Sequence, residues 1–267
     1  MSRVYELPRL AHPGFNTPGQ KPVGAVKIDW SNPLTQNLER YYGSTGYPRD
    51  LVTGQTFVPL NTNWQQAACR AGQGVGNSAT TAALSTSTVP AVGTGDYTFF
   101  AHFYFDVEIN WSYFCSVGTT TGTPIGIGIT NATKAYLYSG GVYNGSTVLV
   151  QGRIYTVVGR RKGTAVAVFL NGRSDGTGTS TANFVTADPF NFLAQKDNGT
   201  FSENDGRIVL SAGFARRAWS DDDIRAFAED PYQIIKPLAP ISYFIPTPGA
   251  GGLSIPIAMN NYYRQRI

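Results

Sequence analysis

Short runs of alternating apolar and polar residues recur along the chain and predict β-strands. From Arg153 to Gly172 the sequence predicts two adjacent strands joined by a short basic turn. The second run, Ala165 to Leu170, is apolar on both faces, which is typical of a strand covered on both sides. Asn171-Gly172 then tolerates the positive φ of a tight reversal. Such a hairpin organises a β-sandwich and carries no catalytic group.

Other segments repeat this strand pattern, with turn residues between them, as expected for a sandwich. They are Tyr97 to Phe105, Trp111 to Val117, Ile125 to Ile129, Ala135 to Tyr138, Ser146 to Val150 and Arg207 to Phe214. The segment from Ser174 to Asn183 is rich in Gly, Ser and Thr and is predicted to be a loop.

One helix is predicted, from Ser220 to Pro231. Ser220 and Asp223 have the spacing of a capping box, in which each side chain binds the other residue's backbone amide. Ile224 and Phe227 begin a narrow apolar stripe, and Pro231 ends the helix. The neighbouring acidic residues are interpreted as capping residues rather than as a cation site.

Proline is concentrated in the two flanks, where it favours extended, irregular backbone. An extended segment cannot bury its own apolar side chains, so we expect both flanks to dock on another surface. We therefore divide the chain into an N-terminal arm at 1–27, a sandwich domain at 28–236 and a C-terminal arm at 237–267. The predicted partner-binding residues are Tyr5, Leu7, Leu10, Phe15, Tyr243, Phe244, Ile245, Ile255, Arg264 and Arg266.

Composition narrows the class of protein further. Thirty Gly, 15 Tyr and 15 Phe among 267 residues, with 14% charged residues, favour an all-β chain. A net charge of +4 is too small to indicate nucleic-acid binding, and no apolar run is long enough to span a bilayer. The N-terminus lacks a secretory signal pattern, so we expect a soluble protein made in the cytosol with Cys69 and Cys115 unpaired.

Catalytic and metal-binding patterns are weak. Asp106 and Glu108 are spaced to share a strand face, but we interpret them as a solvated strand end rather than a glycosidase pair. His102 is expected to be a packed or interface residue. The basic clusters at 160–162 and 216–217 are expected to be solvated. We predict that the protein is not an enzyme and binds no cofactor. The alternative is a calcium ion bound by Asp175, Asp197 and Asp205.

Exposed aromatic rings beside Asn or Asp can bind sugars. Tyr136, Tyr138, Tyr143 and Asn144 form such a group and are the candidate glycan-binding residues. Ordinary packing of tyrosines within a hairpin is the competing interpretation.

Two of these segments resemble the laminin-G / concanavalin-A-like jelly-roll superfamily. They are the hairpin from Tyr155 to Gly172 and the run from Gly206 to Ile224, in which Asp223 stands where the superfamily has Glu. The resemblance implies an antiparallel two-sheet jelly roll with one short helix, to which the extended arms are added. Shorter stretches at 28–34, 230–237 and 262–266 resemble jelly-roll proteins encoded among tailed-phage structural genes.

That second resemblance implies a non-enzymatic virion structural protein. We expect it to decorate or cement the capsid through its arms, after assembly in the bacterial host cytoplasm. Its partners would be the major capsid protein or other virion proteins, and it would form a homo-oligomer, for example a trimer. The alternative is a carbohydrate-binding adhesin on a tail fibre or capsid surface, which would bind a host-surface glycan.

Overall fold

The computed structural model describes most of the predicted sandwich segment. The described residues are 22, 25–43, 48–59, 64–77, 84–106, 111–118, 124–193 and 207–238. Within them no helix is long and apolar enough to cross a membrane.

Strands make up most of the described chain, and they are numbered here in chain order. They are β1 Val26–Ile28, β2 Leu38–Tyr42, β3 Val58–Pro59, β4 Trp64–Cys69, β5 Gly72–Asn77, β6 Leu84–Val89, β7 Tyr97–Phe105, β8 Ser112–Val117, β9 Ile125–Ile129, β10 Lys134–Ser139, β11 Val142–Val148, β12 Arg153–Lys162, β13 Ala165–Leu170, β14 Arg173–Thr179, β15 Asp188–Phe192, β16 Arg207–Ala215 and β17 Ile235–Pro237. A 3₁₀ helix at Pro33–Thr35 follows β1, and the α-helix α1 spans Asp221–Glu229.

Two antiparallel sheets pack face to face. The seven-stranded sheet has the order β11-β10-β9-β8-β15-β6-β3. Seven strands of the eight-stranded sheet have the order β14-β13-β12-β7-β16-β5-β4. Its eighth strand, β2, lies outside this linear order and pairs with β16. The prediction of an all-β, antiparallel two-sheet sandwich with one short helix is confirmed.

The predicted hairpin lies beside β7, the central strand in the order of the eight-stranded sheet. β12 pairs with β13 from Val157↔Leu170 to Lys162↔Ala165. Asn171 and Gly172 both have positive φ, at 49° and 78°, and join β13 to β14 as the sequence predicts. Val166 and Val168 point into the space between the sheets, whereas Ala167 and Phe169 point to the other side of their sheet.

A second core explains why β13 is apolar on both faces. On the outer face of the eight-stranded sheet, Trp219 stacks on Phe100 with 4.6 Å between ring centroids, and Phe227 of α1 packs against both rings. The predicted capping box of α1 is present, with Ser220 Oγ accepting from the Asp223 amide at 3.1 Å and Asp223 Oδ2 accepting from the Ser220 amide at 3.0 Å. The cover of this strand therefore comes from its own chain.

β1 and β17 form a separate antiparallel ribbon at the edge of this second core. Val26 pairs with Pro237 and Ile28 pairs with Ile235. Lys236 Nζ lies 2.7 Å from Asp29 Oδ1, and the Leu238 amide donates to Ala25 O at 3.0 Å. The start and the end of the described sandwich are therefore side by side.

One local prediction is wrong, and a second is wrong in part. The Gly/Ser/Thr-rich segment expected to be a loop contains β14, because those residues pair along the full length of β13. Of the basic residues expected to be solvated, Lys162 is exposed, but the four arginines are bonded to the protein. Arg161 is 1% exposed and donates to Gly163 O and Ala182 O, and Arg217 donates to Pro33 O, Gln36 O and Asp223.

Candidate functional site

Three of the four candidate glycan-binding residues share the outer face of the seven-stranded sheet. Leu137 and Ala135 of β10 belong to the core between the sheets, so Tyr136 and Tyr138, which alternate with them, point outward. Asn144 of β11 lies directly opposite Tyr136 and is exposed. Strand pairing thus brings Tyr136, Tyr138 and Asn144 to one face.

Tyr143 does not belong to this group. It lies opposite Leu137, so its ring points to the inner face and packs against the core. Its hydroxyl donates to Thr179 O of β14 at 2.6 Å. Tyr143 therefore connects the two sheets at their β11–β14 edge, and its assignment to the glycan group is replaced by this structural role.

Tyr136 is fully buried although it points outward. Trp111 packs edge-on against its ring at 5.2 Å, and Tyr113 does the same at 5.3 Å. Gly128 lies below it on β9, where a Cβ atom would approach the Tyr136 ring to 2.9 Å. Tyr136 thus supports the surface residues and has no exposed face of its own to offer.

Trp111 is the functional candidate that the sequence interpretation missed. It begins the β8 segment, is 40% exposed and rests on Tyr136. Together with the partly exposed Tyr138 and the exposed Asn144 it forms the surface that we name the aromatic patch. A signal was present in the sequence, because Trp111 is one of only four tryptophans. Only the pairing of β8, β9 and β10 brings it to Tyr136, however.

The edge beside the patch is fixed by Asp175 of β14. Its Oδ1 atom accepts from Ser146 Oγ at 2.9 Å, from the Thr147 amide at 3.1 Å and from Thr147 Oγ1 at 2.5 Å. These bonds reach from one sheet to the other and hold the strand that carries Asn144. We name this β11–β14 edge the seam.

A single row of outward residues crosses the whole sheet. Strand pairing places these residues opposite one another in the order Val142, Tyr138, Gly126, Ser116, Asn191, Ser85 and Val58. The centre of the row is small and buried, whereas Val142 and Val58 at its ends are exposed. Near Val58 lies a recess of about 600 Å³, which is taken up below.

Other predicted site residues are located as follows. His102 is 3% exposed and packs edge-on against Tyr232 at 5.5 Å, so its packed role is confirmed. Asp106 is exposed after β7, and its predicted companion Glu108 lies outside the described residues. Cys69 and Cys115 are free thiols, and burial raises the pKa of Cys115.

The predicted calcium ligands are only partly described. Asp175 is held in the seam, whereas Asp197 and Asp205 lie outside the described residues. Among the described residues, no group of three His, Cys, Asp or Glu side chains is arranged to hold a metal ion. All ten arm residues predicted to bind partners also lie outside the described residues. The division into domain and arms therefore stays a prediction.

Comparison with known proteins shows that this chain is similar in fold to several solved structures. No family model and no curated protein matches the sequence. Domain 4 of AbnA, a GH43 extracellular arabinanase from Geobacillus stearothermophilus, solved in complex with arabinotriose, is similar with a TM-score of 0.58 and 12% identity. That match covers 72% of this chain and 98% of that one. This chain shares the β-sandwich fold.

Two further solved structures are also similar to this chain in fold. The Trypanosoma rangeli sialidase in complex with 2,3-difluorosialic acid has a TM-score of 0.55 at 13% identity, covering 74% of this chain but 33% of the sialidase. The binding domain of Paraclostridial Mosquitocidal Protein 1 has a TM-score of 0.54 at 13% identity, covering 73% of this chain and 52% of that one. At these identities the likeness shows the fold alone.

Proposed function

We propose that this protein binds carbohydrate, without catalysis, at the aromatic patch on the outer face of the seven-stranded sheet. The observation that carries the proposal is Trp111. Its ring is 40% exposed and is held edge-on by the buried ring of Tyr136. A large aromatic surface that is already fixed loses little conformational freedom when a ligand binds.

The neighbouring residues supply the polar contacts that a sugar requires. Asn144 offers an amide with two donors and one acceptor oxygen, and the Tyr138 hydroxyl can both donate and accept. The rings of Trp111 and Tyr138 offer apolar faces for the C–H groups of a sugar ring. The patch thus combines an apolar platform with a few polar groups, as small-molecule sites generally do.

Binding without hydrolysis fits the carboxylates around the patch. Glycoside hydrolysis uses two carboxyl groups on either side of the scissile bond. In the described surroundings of the patch, Asp175 is the nearby carboxylate, and its Oδ1 already accepts three hydrogen bonds within the seam. The fold likeness adds support by analogy, since one similar domain was solved with arabinotriose and another is a binding domain.

The test is a glycan array followed by titration of the glycans that bind. Trp111→Ala and Tyr138→Ala should each weaken binding by about tenfold or more, which corresponds to about 1.4 kcal/mol. Trp30→Ala is the matched control, because Trp30 is 60% exposed but follows β1 on the opposite side of the sandwich. A wild-type protein that binds no glycan, or variants that bind as well as wild type, would contradict the proposal.

Attachment to a virion is a second candidate, favoured by the β1–β17 ribbon. Because Val26 pairs with Pro237, the segments before and after the ribbon begin at one place. That place adjoins the second core, on the side of the sandwich opposite the patch. A protein attached there would present the patch outward, as an adhesin does. Removing residues 1–24 and 239–267 should then abolish incorporation into particles while the sandwich remains folded, and unchanged incorporation would contradict attachment.

A further inference from the structure

The recess at the β3 end of the seven-stranded sheet lies on the same outer face as the aromatic patch. It has a volume of about 600 Å³, within the range of small-molecule sites. Strand register places Tyr138 and Ser85 in one row, four strands apart, which corresponds to roughly 19 Å. The residues lining the recess are Gln55, Thr56, Val58, Ser85, Thr86, Ser87 and Pro189.

Local strand irregularity creates this recess. β3 pairs with β6 only at Val58↔Ser85 and Pro59↔Leu84, so the rest of β6 extends past it. On its other side β6 pairs with β15, and the register shifts between Pro189 and Asn191. Such bulges turn side chains away from their regular alternation and are common next to binding sites. Here Thr86 and Ser87 are the two residues inside the irregular stretch.

A buried ion pair fixes the polar wall of the recess. Arg40, 6% exposed, donates from Nη2 to Ser87 Oγ at 3.1 Å and to Thr88 O at 2.9 Å, and its Nε lies 3.6 Å from Asp50 Oδ2. Gln55 Oε1 accepts from the Ser87 amide at 3.2 Å. Because Ser87 Oγ accepts a hydrogen bond from Arg40, its own proton is available for a ligand oxygen. The wall is therefore ordered before any ligand arrives.

The chemistry of the lining selects a neutral, hydroxyl-rich ligand. Four hydroxyl groups and one carboxamide line the recess, Val58 and Pro189 supply aliphatic surface, and no charged side chain lines it. One strand further in, opposite Ser85, Asn191 is fully buried and its Oδ1 atom has no hydrogen-bond partner among the described residues. Asn191 lies behind the recess and is not part of its lining, so the proposal depends on the lining residues.

We propose that the recess is a second, separate binding site for a neutral sugar. This inference takes its ligand class from the proposed function but depends on different residues. Two sugar sites on one face would let a single molecule hold a glycan-covered surface at two points, which strengthens retention without any new contact.

The test follows backbone amide signals by nuclear magnetic resonance. The full chain is titrated with glucose, galactose, mannose, arabinose and arabinotriose, and in a parallel arm with glucuronate and sialic acid. Neutral sugars should shift the amides of Thr86 and Ser87 independently of those of Tyr138 and Asn144. The double variant Thr56→Val/Thr86→Val should weaken binding at the recess by about tenfold or more and leave the patch unchanged. Thr177→Val, an exposed strand threonine on β14, is the matched control.

Each outcome separates the two proposals. Shifts at the patch alone, stronger binding of the acidic sugars at the recess, or a double variant that binds as wild type would overturn the recess proposal and leave the proposed function intact. Shifts at the recess alone would support the recess and count against the patch. If no sugar shifts either set of amides, both proposals fail. Thermal unfolding of the double variant, compared with Thr177→Val, shows whether lost binding reflects lost structure.

Discussion

Each outer face of the sandwich carries a tryptophan packed on another aromatic ring, but the two tryptophans differ in how far they are covered. On the eight-stranded sheet, Trp219 stacks on Phe100, and α1 covers both rings so that Trp219 is fully buried. On the seven-stranded sheet, Trp111 packs on Tyr136 and stays 40% exposed. An aromatic pair on a sheet becomes core where the chain supplies a cover. Where the outer ring stays open to solvent, we propose that it serves as a surface for binding.

Matched substitution of the two tryptophans gives the largest expected effect. Trp219→Ala removes a buried ring from the second core and should lower the free energy of unfolding by about 3–5 kcal/mol. Trp111→Ala removes a ring that is partly in water and should cost less than about 1.5 kcal/mol while weakening sugar binding. Urea unfolding of both variants measures the difference. Equal losses of stability would show that the patch is core and not a binding surface.

The sequence predicted best those features whose signals are local. The capping box of α1 depends on residues three positions apart, and the Asn171-Gly172 reversal depends on two adjacent residues with positive φ. Tyr136 and Tyr138 share one face because side chains two positions apart in a strand point the same way, which is a local property too.

Contacts between distant segments could not be predicted in this way. β14 contains Gly and Asp residues that do not favour strands on their own, and its pairing with β13 decides its conformation. Tyr136 is buried by Trp111 and Tyr113, which come from the β8 segment. Tyr143 was placed with the glycan group because nothing in the sequence shows that β14 lies beside β11. The arms carried the first functional hypothesis, and that hypothesis stays untested by the described residues.

The second prediction concerns the seam. The seam joins the eight-stranded sheet, whose outer face is covered by α1, to the seven-stranded sheet, whose outer face carries the aromatic patch. Asp175→Ala removes the acceptor of the Thr147 amide and of two hydroxyl groups, and should lower the free energy of unfolding by about 1–3 kcal/mol. It should also loosen Asn144 and weaken sugar binding, which Trp219→Ala should do only through global unfolding. Asp222→Ala is the control, since its side chain is 87% exposed and pairs with Arg225 across one helical turn. Urea unfolding and sugar titration together measure the effect. No difference between the two variants would mean that the seam contributes nothing to stability.

The smallest predicted effect concerns the pH dependence of the β1–β17 ribbon, which belongs to the covered side of the sandwich. The hydrogen bond from Lys236, followed by those from Ser31, lowers the pKa of Asp29 to about 2, from about 3.9 in an unfolded chain. Because the folded pKa is depressed, the contribution of Asp29 is fully present above pH ~4 and is lost as the pH falls through ~2.

Both partners lie at the surface, so the contribution at neutral pH should be below about 1 kcal/mol and should shrink in high salt. Wild type should therefore be slightly more stable than Asp29→Asn at neutral pH, and the two free energies of unfolding should converge between pH ~4 and ~2. A difference that persists unchanged at the lowest pH would show that the neutral hydrogen bonds of Asp29, rather than its charge, hold the ribbon.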